Sequence, residues 1–192
     1  MKIVFATNNP NKIKEIQLVL PDTIEILSLR EIGCNEELPE NQDTLEGNAL
    51  EKAKYVKEKY GYDCFSEDTG LEIECINNEP GVYSARYAGP ERSDEKNMNL
   101  VLSKMKESTN RKARFRTIIT LILNGEIKNF EGIANGNILR KKMGMKGFGY
   151  DPIFKPEGYE QSFAQLGLSI KKEISHRSKA VEKLLRFLNA LQ

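Results

Sequence analysis

The stretch ARFRTIITLIL, Ala113–Leu123, decides the fold class. Phe115, Thr117, Ile119, Leu121 and Leu123 fall on one face of an extended chain. Arg114, Arg116, Ile118, Thr120 and Ile122 fall on the other. An aromatic and β-branched run of this length with period-two order reads as a strand. Asn124-Gly125 follows it. That pair is a strong hairpin signal, because both residues tolerate the positive φ of a tight turn. Residues Ile127 to Leu139 are expected to pair back.

Helices and further strands surround this hairpin. Ile3 to Thr7 reads as a short buried strand, broken by Asn9-Pro10-Asn11. Ile13, Ile16, Val19 and Leu20 recur at helical spacing until Pro21-Asp22 stops them, and Ile24 to Leu27 reads as a second strand. Gly33 to Gln42 is polar and irregular. Asp43 followed by Glu46 resembles a capping box with Asp43 as N-cap. Leu45, Ala49, Leu50, Ala53 and Val56 give the helix behind it one apolar face, and Gly61 ends it.

Two short strands are predicted at Asp63–Ser66 and Leu71–Cys75, joined by a turn at Glu67-Asp68-Thr69-Gly70. A loop runs from Asn77 to Arg92, then a helix covers Asp94 to Lys106 with Met98, Leu102 and Met105 inward. The last helix follows Ser175, with Ala180, Val181, Leu184, Leu185, Leu188 and Leu191 on its apolar face. The class is α/β with a mixed sheet, and residues 1–192 are expected to form a single domain.

Composition narrows the function. The net charge is +1, whereas a general nucleic-acid binder carries a marked basic excess, so no nucleic-acid partner is expected. No apolar run approaches the roughly 20 residues that span a bilayer, and the N-terminal apolar segment is too short for a signal peptide. A soluble, cytoplasmic protein with no membrane partner is expected. Cys34, Cys64 and Cys75 lack metal spacing and read as free thiols. With His176 the only histidine, a bound metal falls mainly to carboxylates, which favours a hard ion such as Mg²⁺.

Four segments could carry chemistry. Thr7-Asn8-Asn9-Pro10-Asn11-Lys12 leaves a strand and enters a helix, where N–H groups, the helix dipole and Lys12 favour an anion. The same residues also read as an ordinary strand-to-helix turn with Asn caps. Ser66-Glu67-Asp68-Thr69-Gly70 offers two carboxylates for Mg²⁺ and for a water aimed at phosphorus, or else a solvated acidic turn. The acidic stretch around Glu40 could add a ligand or could be a surface loop. Gly147-Phe148-Gly149-Tyr150-Asp151-Pro152 lets backbone approach a flat ligand, with Phe148 as stacking face and Asp151 as acceptor, or is a Gly-rich turn around a core Phe. Ile174-Ser175-His176-Arg177 puts cations in the first turn of a helix, against its dipole. Such a breach of a local rule is expected at functional sites, although a lone His is often structural.

Taken in order, these segments resemble the inosine/xanthosine triphosphate pyrophosphatase family. The matching stretches are TNNPNK at Thr7–Lys12, TLEGNALEKA at Thr44–Ala53, SEDTGLEIE at Ser66–Glu74, PGVYSARYAG at Pro80–Gly89, GFGYDPIF at Gly147–Phe154 and ISHR at Ile174–Arg177. Their order and spacing run nearly end to end. The resemblance implies an elongated mixed sheet with flanking helices in two lobes around a central cleft. It implies Mg²⁺-dependent hydrolysis of ITP, dITP and XTP to the monophosphate and pyrophosphate, by a homodimer. It also implies residue roles. Thr7, Asn8, Asn9, Asn11 and Lys12 hold the triphosphate. Asp68 binds Mg²⁺ and accepts the water's proton, with Glu40 as the other acidic ligand and Thr69 on the substrate. Phe148, Gly149, Tyr150 and Asp151 hold the base, and Lys171, His176 and Arg177 complete its recognition. Thr69 stands where the family usually has serine, and Arg140–Gly144 lacks a proline common near Lys142. One alternative is a pyrophosphatase for modified pyrimidine or methylated nucleotides, which a substrate panel separates; another is a nucleotide-sensing or RNA-binding module, which tight nucleotide binding without turnover in calorimetry would support.

Overall fold

The structure, a computed structural model, describes residues 2–21 and 23–191. Asp22 therefore lies outside the described residues, but the first helix already ends at Gln17 with Leu18 as its C-cap, short of the stop expected at Pro21-Asp22. Contacts group the chain into two units: Met1–Asp68, Thr117–Gly132 and Arg177–Gln192 in the first, Thr69–Arg116 and Ile133–His176 in the second.

The first unit begins with β1 (Lys2–Ala6), α1 (Pro10–Gln17), β2 (Glu25–Leu27) and α2 (Leu45–Tyr60). Asn9 caps α1 and Pro10 sits in its first turn, where its missing N–H costs nothing. The cap of α2 is Thr44, not the Asp43 that the Asp-x-x-Glu spacing suggests. Thr44 is extended, and its hydroxyl accepts from Gly47 N at 3.0 Å, the reach an N-cap needs.

β3 (Cys64–Ile73) corrects a second expectation. It is one continuous strand, not two joined by an acidic turn. Glu67, Asp68, Thr69 and Gly70 are strand residues, because their neighbours on both sides keep the extended pairing. β1 pairs in parallel with β2 and with β3, Phe5 standing opposite Phe65 and Ala6 opposite Ser66. Strand parity then sorts the side chains of the first unit. Odd-numbered Ile3, Phe5 and Phe65 pack with Ile16 and with Ala180, Val181 and Leu184. Even-numbered Val4, Ala6 and Cys64 pack with Ala53 and Val56 of α2.

Next come β4 (Glu79–Gly81), inside the expected Asn77–Arg92 loop, α3 (Asp94–Lys104), β5 (Lys112–Leu123) and β6 (Glu126–Ile138). Asn124 and Gly125 between β5 and β6 have φ of 50° and 84°, the tight turn their sequence implies. β7 (Phe154–Pro156), α4 (Phe163–Leu166), α5 (Leu168–Ile174) and α6 (His176–Asn189) complete the chain. The strand order is β2-β1-β3-β5-β6-β7 with β4 on β3, a mixed sheet of seven strands in an α/β fold. The core of the second unit gathers Leu71, Ile73, Met98, Val101, Phe115, Phe154 and Phe163. On α6, Ala180, Val181, Leu184 and Leu188 are buried, whereas Leu191 lies beyond the helix and is exposed.

Candidate active site

Glu67 and Asp68 are consecutive strand residues, so their carboxylates leave opposite faces of β3. The parity that buries Phe65 beside α6 and Cys64 beside α2 therefore decides their partners.

Glu67 is fully buried. Lys12 Nζ lies 3.3 Å from its Oε1, and Arg177 Nε reaches both carboxylate oxygens at 2.9 Å. Arg177 also bonds Glu15 of α1 through Nη1. Burial alone would raise the Glu67 carboxyl, but the charges of Arg177 and Lys12 hold it down at about 2. The same carboxylates push Arg177 upward against the cost of its own burial. The cation at the start of α6 is thus answered by two carboxylates, which offsets the unfavourable helix dipole.

Asp68 faces α2. Asn48 Nδ2 donates to its Oδ2 at 3.1 Å, and Lys52 Nζ is 3.6 Å from its Oδ1. Lys52 also donates to Glu40 Oε1 at 2.7 Å. A buried ammonium thus sits with the two carboxylates assigned to metal. Burial is the main cause that raises the Asp68 carboxyl above its ordinary value, with Glu40 adding to it against Lys52, Lys12 and Asn48. Burial opposes the charge on Lys52, yet Asp68 and Glu40 outweigh it and raise the ammonium. The donor set is two hard carboxylates, and Mg²⁺ characteristically uses one or two carboxylates plus phosphate and water, so these residues fit it.

The opening turn is more self-satisfied than its sequence suggests. Asn9 Oδ1 accepts from Asn11 N at 2.9 Å and Lys12 N at 3.4 Å, and Thr7 Oγ1 accepts from Asn9 N at 3.2 Å. Those three N–H groups are thus used within the turn. The charge of Lys12 and the amide of Asn8, which donates to Glu36 O at 3.1 Å, are what the turn adds. Thr69 follows Asp68 on β3 and is half-buried.

In the second unit Asp151 is buried, and its Oδ2 accepts from Phe148 N at 3.0 Å and Lys171 Nζ at 2.7 Å. Gly147 has a φ of +82°, and a Cβ there would lie 2.0 Å from that same oxygen, so the turn admits only glycine. Asp94 Oδ2 accepts from Gly149 N at 2.7 Å, and Tyr150 Oη donates to Ser84 O at 2.7 Å. Lys171 Nζ stands 5.1 Å from the centroid of the Phe148 ring, within cation–π range. His176 is buried and stacks on Phe115 at 4.6 Å.

The structure therefore brings Asp68 and Glu40 together around Lys52, Lys12 together with Arg177 around Glu67, and Phe148, Asp151 and Lys171 together. Asn48, Lys52 and Glu15 were not foreseen as site residues. Asn48 and Lys52 carried a readable signal. They stand four residues apart within the apolar stripe of Leu45, Ala49, Ala53 and Val56, where a polar residue needs a buried partner. Glu15 carried none, since its partner lies 162 residues away.

A family model described as the Ham1 family matches residues 3–187. The dITP/XTP pyrophosphatase of Flavobacterium psychrophilum is 56% identical over 97% of this chain and 98% of its own length. That of Flavobacterium johnsoniae is 57% identical over 99% of both. The solved Ham1 protein of Staphylococcus aureus superposes with a TM-score of 0.91 at 36% identity, covering 100% of both chains. A HAM1 protein from Coxiella burnetii gives a TM-score of 0.91 at 33% identity over 99% of both.

Proposed function

The chain belongs to the Ham1 family, and on that premise we propose that it hydrolyses the noncanonical purine nucleoside triphosphates ITP, dITP and XTP to the monophosphate and pyrophosphate. The observation that carries the reading is the grouping of half-buried Glu40 with buried Lys52 and Asp68.

Asp68 is the proton acceptor. The hydrogen bond that Asn48 Nδ2 donates fixes the carboxylate, and burial makes it more basic than an ordinary aspartate. It takes a proton from water as the water oxygen bonds to the α-phosphorus. The bond from that phosphorus to the bridging oxygen breaks, and pyrophosphate leaves as a unit. Lys12 and Lys52 supply positive charge for the phosphates. Glu40 and Asp68 would hold Mg²⁺, which when bound neutralises phosphate oxygens and favours ionisation of water. Thr7, Asn8, Asn9 and Asn11 shape the turn that carries Lys12, and Thr69 contributes a hydroxyl to the substrate.

The base falls to Phe148, Gly149, Tyr150 and Asp151, with Phe148 stacking. Lys171, His176 and Arg177 are donors for the C6 oxygen of hypoxanthine and xanthine, where adenine carries an amino donor. Sites built on such hydrogen bonds discriminate by about 10⁴.

We also assign the chain to the cytoplasm, as a homodimer that removes these nucleotides from the pool. Exposed Tyr83, in the Asn77–Arg92 segment, and exposed Ile127, in the hairpin, mark the two candidate dimer surfaces.

Incubation with ITP and Mg²⁺ tests the reading. IMP and pyrophosphate are the expected products. Release of IDP and inorganic phosphate would remove the cleavage site from the proposal, and a preference for a pyrimidine triphosphate would remove the substrate class.

A further inference from the structure

Glu36 lies in the irregular segment ahead of α2, four residues before Glu40. Its Oε1 accepts from Tyr55 Oη at 2.8 Å, from Tyr60 Oη at 2.7 Å and from Lys59 Nζ. All three donors stand on the last turns of α2. Its Oε2 accepts from Asn35 N at 3.1 Å, and its backbone carbonyl accepts from Asn8 Nδ2 at 3.1 Å. Four side chains thus converge on one residue of a segment that has no helix or strand of its own. The Lys59 contact and the two tyrosine hydroxyls hold the carboxyl well below the usual range, so it is ionised at neutral pH.

The far end of the same segment is tied to the start of α2. Gln42 N donates to Asn48 Oδ1 and Asn41 N to Glu51 Oε2, each at 2.9 Å. Glu40 is therefore suspended between two tethers on one helix. The nearer tether to the N-terminal side is Glu36, and it fixes the segment to the helix that also carries Asn48 and Lys52. A ligand on an otherwise irregular loop binds well only if the loop is held, because ordering it at the moment of binding costs entropy.

We propose that Glu36 is a positioning residue for divalent-cation binding, clamping the Glu40 segment onto the C-terminal turns of α2 so that Glu40 is pre-set beside Asp68. The inference rests on the assignment of Glu40 and Asp68 as metal ligands made above. Through Asn8 the same clamp orders the turn that carries Lys12.

The test uses the full chain with Glu36→Ala, the triple variant Tyr55→Phe/Lys59→Met/Tyr60→Phe, and the control Lys57→Met. Lys57 stands on the same turns of α2 but pairs with Asp63 at 2.8 Å, away from the clamp. Mn²⁺ affinity by electron paramagnetic resonance titration, the Mg²⁺ concentration for half-maximal ITP hydrolysis, and the melting temperature are measured for each. Disturbing groups that orient a metal ligand typically weakens metal binding on the order of 10-fold, so Glu36→Ala and the triple variant should each weaken Mn²⁺ and raise half-activating Mg²⁺ by about that factor, with kcat at saturating Mg²⁺ within about twofold of the parent. Lys57→Met should lower the melting temperature and leave Mn²⁺ affinity unchanged. Unchanged Mn²⁺ affinity in Glu36→Ala overturns the proposal, as does equal weakening by Lys57→Met, which would be a general stability effect. A parent chain that neither binds Mn²⁺ nor needs Mg²⁺ removes the metal assignment itself, and the clamp with it.

Discussion

Glu67 and Asp68 are adjacent in the chain yet serve opposite faces of one strand, the first meeting Lys12 and Arg177, the second Asn48 and Lys52. The acidic pair is therefore two single carboxylates with different surroundings. Glu67 is saturated by cations and held low, a structural anchor for Arg177 and Lys12. Asp68 is raised by burial and suited to accept a proton.

Replacing the raised carboxylate should stop the reaction while sparing the fold. Asp68→Asn keeps the shape and an oxygen for Asn48, but loses the base. We expect kcat for ITP to fall by about 10³-fold or more, worth about 4 kcal/mol of barrier. Single-turnover kinetics with circular dichroism measures it. Activity within tenfold of the parent would move the proton acceptor elsewhere.

Glu67 predicts an acid transition. Its folded value, about 2, lies below the ordinary 4.5. The stability it contributes is therefore fully present above about pH 4.5 and is lost as pH falls through about 2. Glu67→Gln should lose about 3 kcal/mol at neutral pH and flatten the fall in stability across that window. Asp68 acts in the reverse sense. Its raised carboxyl stabilises the fold at low pH, and that contribution disappears as pH rises through its folded value. Urea unfolding of the metal-free protein between pH 2 and pH 7 reads both, with Asp68→Asn removing the second.

Much of the architecture was legible because it is written locally. The Asn124-Gly125 turn, the alternation of β5 and the apolar stripe of α6 each depend on neighbours within a few residues. The acidic stretch on β3 reads as a turn in sequence because Glu, Asp and Gly disfavour strands in isolation, while pairing on both flanks overrides that preference. Asp43 lost the capping role to Thr44 by one residue, within the scatter of any boundary read from spacing. The candidate site residues come from motifs that are contiguous in the chain. Their partners could not be read there, since Arg177 with Glu67 and Lys171 with Asp151 are contacts made by the fold alone.

Lys52 predicts an exchange of one cation for another. Its ammonium is buried between Glu40 and Asp68, where a divalent ion would otherwise balance their charge. Lys52→Met leaves those carboxylates facing each other without it. The metal-free variant should lose about 3 kcal/mol of stability, and Mg²⁺ should raise its melting temperature more than it raises the parent's. The kcat for ITP should still fall, because the phosphates lose a charge. Differential scanning calorimetry with and without Mg²⁺ decides, and equal Mg²⁺ responses in the two proteins would refute the exchange.

The last prediction separates specificity from stability at Asp151 and Lys171. The two groups are 2.7 Å apart, and each side chain is 3% exposed. Removing one partner leaves the other a buried charge without its counter-charge at 2.7 Å, so Asp151→Asn and Lys171→Met should each cost about 3 kcal/mol. The double variant strands neither, and most of that loss should return. Discrimination between ITP and ATP should behave differently. If Lys171 donates to the C6 oxygen, its loss lowers the ratio of kcat/KM for ITP over ATP by about 10-fold or more, and restoring stability in the double variant does not restore the ratio. Should the ratio recover together with the melting temperature, Lys171 acts only by holding the Phe148–Asp151 turn in place.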